Sequence, residues 1–129
     1  AAAIASFAFD LPHAVVDGNV YRVLSRHFGL REPIDQASSQ KTYAQLANQL
    51  LPPPHAADFN QAIMEFGAIQ CVPTNPDCSV CVFASSCMAF QRNEVTLLPF
   101  KAGKIRVRNR HLNYLVIKQN DGVFLKERR

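Results

Sequence analysis

Apolar side chains recur at helical spacing in three stretches of the chain, and each stretch predicts an amphipathic helix. The apolar face of the first predicted helix consists of Val20, Val23, Leu24, His27 and Phe28. Asp17 or Asn19 is a suitable N-terminal cap for this helix, and Gly29 is a suitable end. Residues 1–9 are also apolar and follow no capping residue, which is typical of the middle of a helix.

The second and third predicted helices follow before the first cysteine. The apolar face of the second consists of Tyr43, Leu46, Ala47 and Leu50. Ser38 or Ser39 would cap it, and the prolines at 52–54 would end it. The apolar face of the third consists of Phe59, Ala62, Ile63, Phe66 and Ile69. The third helix runs directly into Cys71, and a further short helical segment is predicted around 88–98.

Beyond residue 98 the pattern changes from helical to alternating. Residues 99–111 contain a proline, a glycine and several basic side chains, which is typical of a linker. Short alternating stretches then lie on either side of Asn120-Asp121-Gly122, and this combination predicts a β-hairpin. The chain is thus predicted to be helical over 1–98, with a separate β-containing domain that begins at 112–129 and is cut short. We therefore expect the chain to be a piece of a longer protein.

Composition and charge narrow the class of protein. Hydrophobic residues make up 48% of the 129 positions, which is typical of a folded globular protein. No apolar run approaches the roughly 20 residues that a membrane-spanning helix needs, so no membrane association is expected. The net charge of +4 is uneven, because residues 101–129 contain nine Lys and Arg against two Asp and Glu. This segment is either a solvated linker or a contact surface for a polyanion such as DNA.

Every cysteine of the chain lies in one short segment with the spacing Cys-x6-Cys-x2-Cys-x5-Cys. These residues are Cys71, Cys78, Cys81 and Cys87. Four thiolates are suitable ligands for one zinc ion or one [4Fe–4S] cluster, and disulfides, which are rare in the cytosol, are the less favoured alternative. Structural zinc sites commonly pair two short Cys-x2–4-Cys turns, and only Cys78 and Cys81 form such a pair. The wide, asymmetric spacing modestly favours the cluster, with zinc as the alternative.

Asp17-Gly18-Asn19 stands between an apolar run and the first amphipathic helix. Asp17 would lie at the N-terminus of that helix, where the more common role of an aspartate is to cap it. Its alternative role is catalytic, since a carboxylate fixed at this point can face a reaction centre that develops positive charge. The two roles are compatible, because the start of the helix would hold the carboxylate in place. Asn19 offers a donor and an acceptor beside it.

Together these features resemble the MutY family of adenine DNA glycosylases, within the helix-hairpin-helix glycosylase superfamily. Residues 16–26 resemble the segment of that family that contains its catalytic aspartate, and residues 59–71 resemble the helix that leads into its cluster. The x6-x2-x5 cysteine spacing is that of the superfamily's [4Fe–4S] loop. Residues 106–129 resemble the linker and first hairpin of the family's C-terminal Nudix-like domain.

The resemblance implies a mainly α fold and a specific division of the chain. Residues 1–98 would form the C-terminal part of the catalytic domain, the cluster lobe of a helix-hairpin-helix glycosylase. Its [4Fe–4S] loop would be residues 71–87, held by all four cysteines. A basic linker at 99–111 would then lead to the first β-hairpin of a truncated Nudix-like α/β domain at 112–129.

The resemblance also implies a reaction and a partner. The enzyme would hydrolyse the N-glycosidic bond of adenine mispaired with 8-oxoguanine or guanine in double-stranded DNA. Asp17 matches the carboxylate that stabilises the sugar cation of this reaction, and Asn19 matches a residue that assists it. The family's general-acid glutamate is expected upstream of Ala1, so the 129 residues alone are expected to be inactive. A bacterial protein of this kind would act in the cytoplasm, on the nucleoid.

Two alternatives stay open at this point. An endonuclease III-like glycosylase shares the cysteine spacing, but it typically has Asp-Thr-His where this chain has Asp17-Gly18-Asn19, and it lacks a Nudix-like extension. A non-catalytic module, in which a metal holds a helical domain that docks on DNA or protein, would need no catalytic role for Asp17. The sequence leaves the oligomeric state and the role of the cluster, structural or redox, undecided.

Overall fold

The computed structural model describes residues 2–103, 117–120 and 122–123, which are mainly helical. Its helices are α1 (Ala2–Phe9), α2 (Gly18–Phe28), α3 (Ala37–Leu50), α4 (Ala56–Ile69) and α5 (Met88–Gln91), with a 3-10 turn at Pro53–His55 before α4. The mainly α prediction and the three amphipathic helices are thus confirmed. Among these helices, none has both the length and the apolar character needed to cross a membrane.

Helix α2 is the central element, and it packs against α3, α4 and α5. Its N-cap is Asp17, in an extended conformation, which confirms one of the two caps that the sequence predicts. At the other end Gly29 adopts the left-handed conformation with φ 64°, and its N–H donates to the Ser25 carbonyl. Glycine reaches this conformation without steric cost, so α2 ends where the sequence predicts.

The hydrophobic core lies between α2 and α3. Its fully enclosed members are Val20, Leu24, Tyr43 and Ala47. The Tyr43 hydroxyl lies 2.8 Å from the Ser25 hydroxyl, and the Tyr43 ring meets Tyr21 edge to face with centroids 5.0 Å apart. The phenol is therefore buried with a polar partner, which avoids the cost of an unsatisfied hydroxyl.

The predicted caps of α3 are wrong. The helix begins at Ala37, and its N-cap is Gln36, whose side chain makes no capping hydrogen bond. Ser39 lies inside the first turn and is buried. A serine can cap only from the extended residue before the helix, and here that position falls earlier in the chain. The predicted end is confirmed, since α3 stops at Leu50 before the prolines.

Helix α5 is much shorter than the predicted segment 88–98. It ends at Gln91, and Asn93 then adopts the left-handed conformation with φ 57°. Turns replace the helix up to Leu98, which is buried against the rest of the lobe. The left-handed residue breaks the ladder of helical hydrogen bonds, which the apolar pattern alone does not reveal.

The predicted linker begins in contact with the loop between α2 and α3. The Ile34 N–H donates to the Phe100 carbonyl over 3.0 Å. The Asp35 carboxylate accepts the N–H groups of Ala102 and Gly103 over 3.0 and 2.9 Å. These bonds hold the pKa of Asp35 below its ordinary value, because they stabilise the ionised form. The start of the linker is thus fixed on the helical lobe.

The predicted hairpin falls mostly outside the described residues. Two short antiparallel strands are present, β1 (Lys118–Gln119) and β2 (Gly122–Val123), with Lys118 opposite Val123. The other residues of the two predicted strands, and the Nudix-like domain that they would begin, are not among those that the structure describes. Both therefore stay predictions.

Candidate active site and cysteine site

The Asp17 carboxylate is held by three donors at the N-terminus of α2. Its Oδ1 accepts the N–H groups of Asn19 and Val20 over 2.9 and 2.8 Å, and its Oδ2 accepts the Asn19 side-chain amide over 3.1 Å. The positive end of the helix dipole adds to this stabilisation of negative charge. The carboxylate is thus half-buried and fixed in one orientation, and Asn19 is its direct neighbour, as the sequence predicts.

The segment that leads to Asp17 is held from α4 by a buried amide. Asn60 is 1% exposed, and its Nδ2 donates to the His13 carbonyl over 2.9 Å and to the Ser6 hydroxyl over 2.8 Å. Its Oδ1 accepts the Val15 N–H over 3.0 Å. A buried amide with these three partners is well satisfied, and it fixes the backbone two and four residues before the carboxylate.

Arg22 connects the Asp17 region with the cysteine loop. Its Nη2 donates to the Asn19 Oδ1 and to the Gly67 carbonyl, both over 2.7 Å. Its Nε donates to the Cys71 carbonyl, also over 2.7 Å. Burial lowers the pKa of Arg22 from its ordinary value, while the nearby Cys71 and Asp17 act in the opposite direction. One planar cation therefore bridges α2, the end of α4 and the first cysteine.

Arg26 lies one turn further along α2 and holds the loop around the first cysteine. It is only 3% exposed. Its guanidinium donates to the carbonyls of Val72, Pro73 and Leu98 over 2.8, 3.1 and 3.0 Å. Its Nη1 also lies 3.4 Å from the Cys71 sulphur. Within the described part of the chain, Arg26 forms no ion pair with a carboxylate.

The four cysteines line one cavity of about 400 Å³ between α2, α4 and the loop. The other walls are mainly apolar and include Val23, Phe66 and Phe83. All four thiols are free, and the Cys87 thiol donates to the Arg26 carbonyl over 3.4 Å. Burial raises the pKa of the Cys78 thiol from its ordinary value. The fold thus gathers four sulphur ligands around one apolar space.

In the described residues, no three His, Cys, Asp or Glu side chains are placed to hold one metal ion. A single zinc ion needs its sulphur ligands about 2.3 Å from one point. Ligands of a polynuclear cluster lie around a larger inorganic core, so cysteines that share a wide cavity are compatible with it.

The structure brings the predicted site residues together in two groups, Asp17 with Asn19 and the four cysteines with one another. Sequence reasoning missed the residues between these groups, namely Arg22, Arg26, Asn60 and Gly67. One signal was available for the arginines, since they stand four residues apart on a helix whose opposite face is apolar. On a helix exposed on one face, such a pair is expected in solvent. Here the helix is buried on both faces, and backbone carbonyls solvate the guanidiniums instead.

Comparison with known proteins gives consistent relatives, although no family model matches the chain. The adenine DNA glycosylase of Schizosaccharomyces pombe is 43% identical over 95 residues, which is 74% of this chain and 21% of that protein. The human adenine DNA glycosylase is 48% identical over 95 residues, 73% of this chain and 17% of that protein. That of Buchnera aphidicola (subsp. Baizongia pistaciae) is 29% identical over 130 residues, 99% of this chain and 36% of that protein.

A solved structure that resembles this chain is also that of a DNA glycosylase. A thermostable thymine-DNA glycosylase superposes with a TM-score of 0.63 and 34% sequence identity, over 70% of this chain and 42% of that one. The chain spans between 17% and 36% of the length of the three relatives named above.

Proposed function

This chain is related to the adenine DNA glycosylases, and on that premise we propose that it is part of a base-excision repair enzyme that removes adenine from DNA. The substrate would be adenine mispaired with 8-oxoguanine or guanine in a duplex, turned out of the base stack before reaction. The observation that supports this most directly is the half-buried Asp17 carboxylate, fixed by three hydrogen bonds at a helix N-terminus. A relative that aligns over 99% of this chain, and therefore over the Asp17 segment, is named for adenine.

The fixed carboxylate has a defined task in this reaction. As the bond from adenine to the sugar breaks, the sugar develops positive charge, and a negative charge already in position stabilises that state. Asp17 supplies the charge, and Asn19 holds one carboxylate oxygen through its side-chain amide. Because both oxygens are held, little reorganisation is needed during the reaction. Protonation of the leaving adenine is assigned to a glutamate that the family resemblance places outside these 129 residues.

Replacing Asp17 with asparagine in the full-length protein tests this role. Asparagine caps a helix about as well as aspartate, so Asp17→Asn removes the charge and leaves α2 in place. We expect single-turnover excision of adenine to slow by about 10²–10³-fold, with binding of the mispaired duplex retained. Asp58→Asn, which removes an exposed carboxylate on α4, is the matched control and should excise normally. Normal excision by Asp17→Asn would exclude the proposed role of Asp17, whereas a full-length protein that excises no adenine at all would favour a non-catalytic module.

The substrate base can be tested with three duplexes. The likeness to a thymine-DNA glycosylase makes thymine opposite guanine the second candidate. The full-length protein should release adenine from duplexes that pair it with 8-oxoguanine or guanine, and it should leave thymine opposite guanine intact. Release of thymine at a comparable rate would replace the adenine assignment and keep the glycosylase one.

We propose a [4Fe–4S] cluster as the group held by Cys71, Cys78, Cys81 and Cys87. The soft thiol donors and the apolar cavity that all four line fit such a group. Their wide, asymmetric spacing along the chain is less typical of a structural zinc site. When bound, the cluster would cross-link the loop through its four cysteine sulphurs and provide a one-electron redox centre. Protein side chains hold the loop against α2, above all Arg26, which donates to the Val72 and Pro73 carbonyls.

Iron and sulphide analysis of the purified full-length protein tests the cofactor. Four iron atoms per chain and a broad absorption near ~400 nm are expected, whereas a zinc site would be colourless. Cys78→Ser should lower the iron content, and Ser79→Ala, beside it in the same loop, should not. Stoichiometric zinc without iron would contradict the cluster and leave the glycosylase proposal untouched.

A further inference from the structure

Gly67 lies near the end of α4 at the point where this helix meets the start of α2. It is buried, and a Cβ atom built on it would lie 2.7 Å from the Cβ of Asn19. The same Cβ would lie 3.1 Å from the carbonyl oxygen of Asn19 and 3.2 Å from its carbonyl carbon. Carbon atoms in contact are normally about 3.5–4.0 Å apart. Any larger residue at position 67 therefore has to push Asn19 away.

The neighbour at this contact cannot yield by rotating a side chain. The nearest atom is a Cβ, whose position is set by the backbone, and the next two are backbone atoms of Asn19. Relief therefore requires a shift of the first turn of α2 relative to α4. Close-packed interiors absorb such shifts poorly.

The backbone conformation of Gly67 does not itself call for glycine. Gly67 is within a regular helix, where alanine is the better helix former. Gly18, by contrast, has open space where its Cβ would be. Close approach to Asn19 is thus the feature of Gly67 that excludes a side chain.

Asn19 is also the residue through which a shift would reach the carboxylate. Its N–H and its side-chain amide are two of the three donors to Asp17. Its side-chain oxygen and the Gly67 carbonyl both accept from the same nitrogen of Arg22. The distance between Gly67 and Asn19 therefore fixes the geometry of this whole group of hydrogen bonds.

We propose that Gly67 is a positioning residue, whose missing side chain sets the place of Asn19 and, through it, the orientation of the Asp17 carboxylate. This inference rests on the proposed catalytic role of Asp17. A single methyl group at position 67 should displace the carboxylate while leaving its chemistry intact. A displacement of about 1 Å at a reacting group costs on the order of 10²-fold in rate.

The test compares Gly67→Ala, Ala68→Ser and Asp17→Asn in the full-length protein. Gly67→Ala should slow single-turnover excision by about 10²-fold while duplex affinity and iron content stay at their wild-type values. Ala68→Ser adds one heavy atom at an exposed site on the same helix and should excise normally. Wild-type excision by Gly67→Ala alone would overturn the inference. Wild-type excision by Asp17→Asn would instead overturn the proposed catalytic role of Asp17, on which this inference rests.

A double-mutant cycle keeps the inference testable if Gly67→Ala folds poorly. Asn19→Gly removes the Cβ that lies 2.7 Å from the added methyl group. The loss of melting temperature caused by Gly67→Ala should therefore be smaller in the Asn19→Gly background than in the wild-type background. An equal loss in both backgrounds, or failure of the double variant to fold where Asn19→Gly alone folds, would show that contact with the Cβ of Asn19 is not the reason for glycine.

Discussion

The Nε of Arg22 donates a 2.7 Å hydrogen bond to the carbonyl oxygen of Cys71. The same guanidinium contacts Asn19, the neighbour of Asp17, through its Nη2. The first residue of the cysteine loop and the candidate catalytic carboxylate are thus connected through the side chains of Arg22 and Asn19. Two of the three hydrogen bonds along this path involve one rigid cation. Changes in the loop and in the carboxylate region are therefore expected to affect each other.

Arg22→Lys is predicted to destabilise both the cysteine loop and the segment around Asp17. Lysine keeps the charge but cannot donate to Asn19, Gly67 and Cys71 together, because it lacks the planar fork of arginine. Loss of charged, buried hydrogen bonds should lower the free energy of unfolding by about 3 kcal/mol. Urea unfolding measures this loss, and adenine excision by the full-length protein should fall with it. Arg31→Lys, at an exposed ion pair with Glu94, should change neither quantity, and equal effects of the two substitutions would refute the bridge.

Arg26→Gln is predicted to loosen the proposed cluster site. Arg26 holds the loop carbonyls of Val72 and Pro73 and contacts the Cys71 sulphur, so its loss frees the backbone around the first ligand. Loss of an outer-shell partner commonly costs about 10–100-fold in metal affinity. Iron release to a chelator should therefore be faster by about tenfold or more. The exposed Arg92→Gln is the control, and identical release by both variants would rule out the role of Arg26.

Asn60→Ala is predicted to destabilise the segment that precedes Asp17. The change removes the partners of the His13 carbonyl, the Val15 N–H and the Ser6 hydroxyl in a buried place. Unsatisfied buried groups cost about 1–3 kcal/mol each, so we expect a loss of about 3 kcal/mol in the free energy of unfolding. Asn48→Ala removes an exposed amide that bonds Ala14 in the same segment, and it should cost less than about 1 kcal/mol. A cost for Asn60→Ala as small as that of Asn48→Ala would contradict the prediction.

Contact of the linker with the lobe is predicted to depend on pH. The N–H groups of Ala102 and Gly103 hold the pKa of Asp35 below its ordinary value. The contact therefore stabilises the docked state above the unfolded pKa of about 3.9, and it is lost as pH falls through the lower folded pKa. The amide proton shifts of Ala102 and Gly103 should follow this single transition in an NMR titration. Asp35→Asn should remove the transition, and its persistence in that variant would assign it to another group.

The helices and the ligand spacing are local properties, and the sequence alone determined them. Apolar periodicity located α2, α3 and α4, and Gly29 marked the end of α2 because a left-handed residue favours glycine. The spacing of the four cysteines predicted a shared metal site, and the structure places all four around one cavity. Asp17 was identified as a cap by its position before an apolar helix. Each of these inferences depends only on residues near one another in the chain.

Only the tertiary structure decided which side chains connect these parts. Arg22 and Arg26 would lie in solvent on a helix exposed on one face, but packing on both sides of α2 buries them among carbonyls from residues 45 to 72 positions away. Glycine at position 67 is unfavourable for an isolated helix, and its role appears only when α2 is in place, because a Cβ there would lie 2.7 Å from the Asn19 Cβ. Such roles arise from close approach and from the need to solvate buried charge, and neither exists before distant segments meet.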